Sequence, residues 1–187
     1  MLKVNQTYKD LIDLIKQALQ SQNLNWQVIQ SYQATMGNIK PPFVMLHRLT
    51  TTNYGFQFGK DKDVSGTPTH TENQIEIQHY QIEANHIRKA SDNVNTITGA
   101  DVVRIIASWF MSDTGIQAFR NKGYNVLRVT EVVEEYYKNI NDIYQVNPHF
   151  RLDLVALQSY SSPTHKIKGF TGNVKEVEQL KYGQEGN

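Results

Sequence analysis

The segment 149–158, HFRLDLVALQ, begins with the two-residue alternation of apolar and polar side chains that is typical of a β-strand. One parity is wholly apolar over its first four members, Phe150, Leu152, Leu154 and Ala156. The other parity begins with His149, Arg151 and Asp153. Because successive side chains of a strand point to opposite faces, this segment requires a sheet with one buried face and one face that carries charge.

The same segment holds the residue types from which hydrolases build nucleophilic sites, so a catalytic interpretation competes with a structural one. A catalytic triad needs its three side chains within mutual hydrogen-bond reach, whereas neighbours on one face of a strand stand roughly 6 to 7 Å apart. The serines that follow precede a proline in a predicted turn and carry no nucleophile-elbow motif. We therefore predict a cross-strand network of Arg151 and Asp153 on a solvated or interface surface. A small hydrolase that uses Asp153, His149 or His165 is the less favoured alternative.

Three segments show the periodicity of helices. Thr7-Tyr8-Lys9-Asp10 has capping-box spacing and is followed by apolar residues at helical spacing, which predicts a helix over about 8–21. The same spacing in 98–101 precedes the most regular apolar stripe of the chain, formed by Val102, Val103, Ile105, Ile106, Trp109 and Phe110. This pattern predicts a central amphipathic helix, and 113–121 predicts a short third helix ended by Gly123.

The first half of the sheet is predicted from two strands and a long hairpin. Residues 26–33 read as a short strand, and 43–49, continuing to about 58, as a longer one. The charged and Gly/Pro/Thr-rich stretch 60–69 predicts the exposed tip of that hairpin. In the returning segment 70–84 the apolar parity changes between Ile77 and Tyr80, which predicts a β-bulge or bend near Gln78–His79.

Two further β-rich segments, 124–137 and 143–159, are predicted to close the sheet through a second hairpin at 139–142. The elements together predict an α+β fold: a mainly antiparallel sheet with long hairpins, flanked by an N-terminal helix and the central amphipathic helix. We expect one domain over residues 1–160. From 161 to 187 a proline, four glycines and weak apolar periodicity predict a C-terminal extension.

Composition argues against several classes of function. The chain has no cysteine, and its histidines show no metal-ligand spacing. It has no phosphate-binding glycine motif, and a net charge of +1 is not typical of a protein that grips a nucleic-acid backbone. Charged residues interrupt the N-terminal apolar residues, and no window reaches the 18 or so apolar residues of a membrane span. We therefore predict no enzymatic activity, catalytic residues, cofactor, metal or membrane association.

Several short patterns follow one another between about residues 7 and 160. These are PPFV at 41–44, LHRL at 46–49, QIEIQHY at 74–80, the helix over 101–110, EEYY at 134–137 and RLDLV at 151–155. The order of these patterns and of the predicted elements resembles that of the neck and tail terminator proteins of tailed bacteriophages.

The resemblance implies a structural virion protein of the tail or neck, assembled in the host cytoplasm. It implies a homo-oligomeric ring, commonly a hexamer, that ends polymerisation of the tail tube and joins the tail to the head. The implied partners are the tail tube and neck or connector proteins, with DNA passing nearby but not specifically bound. Another virion tube or baseplate component is the alternative. The residues expected to contact partners are Lys60, Asp61, Lys62, Asp63, Arg151 and Asp153.

Overall fold

The computed structural model describes residues 4–31, 39–64, 67–86, 96–138 and 144–163. Its helices are α1 (Val4–Gln20), α2 (Gly99–Met111) and α3 (Asp113–Asn121). Its strands are β1 (Gln27–Gln30), β2 (Phe43–Val64), β3 (Thr67–Asn85), β4 (Tyr124–Val129), β5 (Val133–Lys138) and β6 (Tyr144–Pro163). The predicted α+β class, with an N-terminal and a central helix, is confirmed.

The strands form one sheet in the order β1-β2-β3-β6-β4, and β5 also pairs with β6. Among the described strands only β1 and β2 run parallel, with Gln27 opposite Phe43. The three long strands β2, β3 and β6 pair antiparallel over most of their lengths. The sheet is therefore mainly antiparallel, as the alternating patterns predict.

The helices cover one side of this sheet, which we call the helix face. The predicted apolar parity of β6 lies on it: Phe150, Leu152, Leu154 and Ala156 are each at most 1% exposed. Phe110 of α2 stands edge-on to Phe119 of α3 and to Phe150, with ring centroids 4.9 and 6.0 Å away. The opposite side of the sheet, which we call the outer face, carries the other parity of β3 and β6.

The two capping-box signals have different outcomes. At α2 the box is confirmed, because Thr98 and Asp101 each accept a hydrogen bond from the other's backbone amide. At α1 it is wrong, since the helix begins at Val4 and so already includes Thr7 and Asp10. Asp10 instead accepts hydrogen bonds from Lys122 Nζ at 2.9 Å and Tyr124 Oη at 3.0 Å. Three-residue spacing places both polar groups on one side of a helix, and here that side is buried.

The predicted bulge lies at the expected level of the sheet but on the neighbouring strand. Arg48 pairs with Tyr80 and Thr50 with His79, so Leu49 of β2 is the extra residue. β3 itself runs without a shift against β6 from Thr69 to Glu83. The change of parity within β3 therefore marks the apolar residues of two faces and not a bend of the strand.

Three other sequence boundaries shift. The stretch 60–64, predicted as hairpin tip, continues β2, and β3 begins at Thr67. The segment 124–137 forms two strands separated by residues 130–132. β6 continues through the serines of the predicted turn to Pro163, and Ser161 Oγ lies 2.9 Å from Thr71 Oγ1 of β3. The predicted hairpin at 139–142 and the chain beyond 163 lie outside the described residues.

The aromatic cluster around Phe110 predicts a large loss of stability on truncation. Phe110→Ala removes a side chain with no exposed surface, and we expect it to lower the free energy of unfolding by about 3–5 kcal/mol. Urea unfolding followed by circular dichroism measures this loss. The matched control is Met111→Ala on the same helix, 56% exposed, which should change stability by less than about 0.5 kcal/mol. Equal losses from both variants would contradict this packing.

Candidate interaction surface

The three long strands extend well beyond the hydrophobic core. The core reaches Tyr80 on β3 and Ala156 on β6, while every side chain of residues 52–62 whose burial is described is exposed. We call the extended part, residues 51–64 of β2, 67–77 of β3 and 155–163 of β6, the arm. At about 3.3 Å per residue its strands extend on the order of 40 Å.

Both lateral edges of the arm are unpaired within the described part of the chain. β1 pairs with β2 only from Phe43 to Leu46, and β4 pairs with β6 no further than Ala156. The remaining lengths of β2 and β6 each have β3 on one side only. Such edges present free N–H and C=O groups, to which a strand of another chain can add.

The β2 edge also carries large apolar side chains in solvent. Two residues of extra length between Tyr54 and Phe58 interrupt the pairing with β3, and Gly55 there has a φ of +75°, which favours glycine. Tyr54, Phe56 and Phe58 are 65%, 96% and 51% exposed. Tyr54 stands opposite Ile75, which stands opposite the exposed Leu157. A continuous exposed apolar patch of this kind is typical of a protein–protein contact.

Charge at the end of the arm is sorted between the two faces. Lys60 and Lys62 pair with residues of the outer-face parity of β3, whereas Asp61 pairs with His70 on the helix-face parity. His70 Nδ1 lies 2.5 Å from Asp61 Oδ1, and its Nε2 lies 3.5 Å from Glu72 Oε1. The hydrogen bond to Asp61 is the main cause that raises the pKa of His70. The side chain of Asp63 lies outside the described set.

A row of hydrogen bonds crosses the outer face where the arm joins the rest of the sheet. Thr52 Oγ1 lies 2.9 Å from His79 Nε2, and His79 Nδ1 lies 2.6 Å from Asp153 Oδ1. Since β2, β3 and β6 contribute one residue each, the row ties the three long strands together. Asp153 is thus part of a cross-strand network, as predicted, but its partner is His79 and not Arg151.

This row has the hydroxyl, imidazole and carboxylate order of a triad, yet its setting differs from that of a catalytic site. Thr52 lies within regularly paired strand, not at the turn and helix N-terminus that supply oxyanion donors to a nucleophile. The hydrolase alternative joined Asp153 with His149, whose Nδ1 instead lies 3.1 Å from the carbonyl of Asn147. His165 is outside the described residues.

Beside the row lies a shallow depression lined by Leu49, Thr50, His79, Arg128, Thr130, Arg151 and Asp153. Arg128 stands directly opposite Asp153 in the β4–β6 pairing, and Arg151 is two residues along β6 on the same face. Both arginines are exposed, and in the described ranges neither guanidinium makes a hydrogen bond or ion pair. Arg128 is a residue that the sequence analysis did not single out, because nothing in β4 alone shows which residue of β6 it faces.

The other end of the outer face holds a buried carboxylate. Glu83 accepts hydrogen bonds from Asn147 Nδ2 at 3.2 Å and Gln81 Nε2 at 3.3 Å, and His47 Nε2 lies 3.2 Å away. Burial acts to raise the pKa of Glu83, but these three partners together hold it below its ordinary value. This cluster links β2, β3 and β6 below the arm.

The residues predicted to contact partners therefore fall into two groups that one chain does not bring together. Asp61 pairs with His70 and Asp153 with His79, so the groups are nine residues apart along β3, roughly 30 Å. No cluster of three or more metal-ligating side chains occurs among the residues that the structure describes. Nor is any described helix long and apolar enough to cross a membrane.

Comparison with protein-family models gives a match over most of the chain. A protein-family model described as E217 gateway protein gp29 matches residues 6–164. No curated protein matches the sequence. Among solved structures, a chain described as the sheath/tube terminator, in the extended state, of the extracellular contractile injection system PVC has a TM-score of 0.48 at 6% identity. That alignment covers 95% of this chain and 65% of that one, so this chain spans about two thirds of its length.

The Glu83 cluster predicts that part of the free energy of unfolding is lost at low pH. Because the pKa of Glu83 in the folded state is below its ordinary value of 4.5, the stabilisation is complete above that value and is lost as the pH falls through the folded pKa. At pH 7 we expect Glu83→Gln to lower the free energy of unfolding by about 1.5–3 kcal/mol, as expected for hydrogen bonds to a charged group. This difference should shrink in acid.

Urea unfolding of both proteins between pH 3 and pH 7 measures the effect. Glu131→Gln, at an exposed position on the same side of the protein, is the control and should match the wild type to within about 0.5 kcal/mol. A gap between the wild type and Glu83→Gln that stays constant over this range would contradict the assignment.

Proposed function

Because the chain belongs to the family of the E217 gateway protein gp29, we propose that it forms a closed ring at the head-proximal end of a phage tail tube. There the ring ends polymerisation of the tube and joins the tail to the head or neck. The family is one of phage structural proteins, in agreement with a role that needs no catalytic residues. The single observation that carries the assembly is the arm, with open edges and exposed aromatic side chains.

The arm is built for contact with another protein chain. Fully burying a Phe side chain contributes roughly 1.5–3 kcal/mol, so leaving Phe56 and Phe58 in water forgoes a large gain that a neighbour can supply. Aromatic residues are also the side chains that most often dominate the binding energy of interfaces. The free edge of β2 adds backbone hydrogen bonds to the same contact.

A ring requires two different surfaces on each copy. A contact that uses the same surface on both partners closes at a dimer, whereas head-to-tail contacts close into rings when their rotation fits. The end of the arm at Asp61 and the outer face near His79 are distinct surfaces about 30 Å apart, which suits a head-to-tail contact. We propose six copies, in keeping with the rings of neck and tail terminator proteins.

The proposed partners are the tail tube on one side of the ring and neck or connector proteins on the other. DNA passes near such a ring and is not specifically bound. A net charge of +1 is compatible with this passive passage. Assembly takes place in the host cytoplasm, and the finished protein resides in the virion.

Removing the aromatic side chains of the arm tests this function. The purified wild type should form closed rings, alone or on tail tubes, as seen by mass photometry and negative-stain electron microscopy. The double variant Phe56→Ser, Phe58→Ser should stay monomeric at concentrations up to at least about 100-fold above those at which the wild type assembles. This is the effect expected for the loss of two aromatic side chains from the centre of an interface. Its thermal unfolding should be almost unchanged, because both side chains lie in solvent.

Met111→Ser is the matched control, since Met111 is also an exposed apolar residue but lies on α2. It should assemble like the wild type. A wild type that remains monomeric even with tail tubes present would overturn the proposed function. Open tubes of unlimited length would favour the alternative of a tube component.

A further inference from the structure

We infer that the acidic side chains on the helix face of one copy's arm bind the arginine pair Arg128 and Arg151 on the outer face of the next copy. This inference rests on the proposed ring and assigns the two surfaces that meet in it. A second copy of this chain therefore fills the depression beside His79, where its carboxylate groups bind Arg128 and Arg151.

The first surface is acidic because the arm sorts its charges by face. Asp61, Glu72 and Glu76 have the helix-face parity. Asp61 and Glu72 lie beyond the core, and Glu76 lies at its boundary, opposite the core residue Ala156. The side chains of Asp61 and Glu72 are 79% and 48% exposed. The cationic partner that Asp61 and Glu72 have within the described chain is His70, whereas Lys60 and Lys62 have the opposite parity.

The second surface offers two exposed arginines, neither of which forms an ion pair with another described residue of its own chain. Asp153, the carboxylate opposite Arg128, is already held by His79 at 2.6 Å. Arg151 is a diagonal neighbour of Arg128, and such neighbours have Cβ atoms about 7 Å apart. Two guanidinium groups at this spacing can hold one carboxylate by paired, charge-assisted hydrogen bonds. Arg128 and Arg151 also line an adjoining depression that contains Glu131 and Glu135, so a carboxylate of another copy reaches the arginines from their His79 side.

The two surfaces cannot meet within one copy. Glu72 and Glu76 lie on one face of the sheet, and Arg128 and Arg151 lie on the other. Contact between them therefore joins two copies through different surfaces, which is the head-to-tail arrangement that produces rings. Lys60 and Lys62 of the arm lie on the outer face, as the arginines do. When the helix face of one copy's arm packs against the outer face of the next copy, acidic residues of the first copy therefore face basic residues of the second.

Charge reversal in both directions tests this pairing. Arg128→Glu with Arg151→Glu, and separately Glu72→Lys with Glu76→Lys, should each raise the concentration for half-maximal ring formation at least about tenfold. An equimolar mixture of the two variants should restore rings, because each reversed surface then finds its complement on the other variant. A chain with all four substitutions should also assemble. Mass photometry measures ring formation, and circular dichroism verifies that every variant is folded.

Lys9→Glu with Lys16→Glu is the matched control, since both lysines are exposed on α1, away from either surface. It should form rings like the wild type. If both reversed variants assemble normally, or if neither the mixture nor the fourfold variant recovers, the inference is overturned while the ring remains. A wild type that never forms rings overturns the proposed function and this inference together.

Discussion

The unbroken pairing of β3 with β6 is the constraint on which the rest of the structure depends. It runs in constant register from Thr69 opposite Pro163 to Glu83 opposite His149. One end of this ladder carries the core, because its helix face is apolar and α1, α2 and α3 cover it. The other end has no such cover and becomes the arm. A single pair of strands thus contributes both to the hydrophobic core and to the exposed arm, which is the surface proposed to contact other chains.

The sequence predicts those parts of the fold that bury an apolar face. The apolar parity of β6 and the apolar stripe of α2 are confirmed. Burial of one face requires apolar residues at a regular spacing, and this spacing can be recognised in the sequence. The family resemblance is likewise confirmed by the match over residues 6–164. Of the arm, only residues 60–64 and 67–69 were predicted as a hairpin tip and are strand in the structure. Strands exposed on both faces need no apolar alternation, so their sequence resembles that of a loop. Asp10 shows the converse, since only the tertiary partners Lys122 and Tyr124 distinguish a buried polar group from a helix cap.

The candidate site was predictable only as far as one strand reveals it. Alternation places Arg151 and Asp153 on the face opposite the core, where the structure has them. It does not reveal that His79 holds Asp153 or that Arg128 stands opposite it, because these facts depend on the register between strands. The pairing register depends on all strands of the sheet and on the extra residue Leu49 in β2. The sequence of a single strand therefore does not determine it. The contact role of Lys60 to Asp63, Arg151 and Asp153 stays a prediction.

The open edges of the arm also have a consequence for its local stability. Backbone amides of the arm are held by strand pairing alone, while those near Phe150 are held by pairing and by the core. Proteins open locally with free energies that range from near zero to that of global unfolding. In an isolated copy we therefore expect the backbone amides of the arm to be less protected from hydrogen exchange than those of the core. Binding of a neighbouring chain would raise the hydrogen-exchange protection of the arm towards that of the core. The local stability of the arm would then depend on assembly.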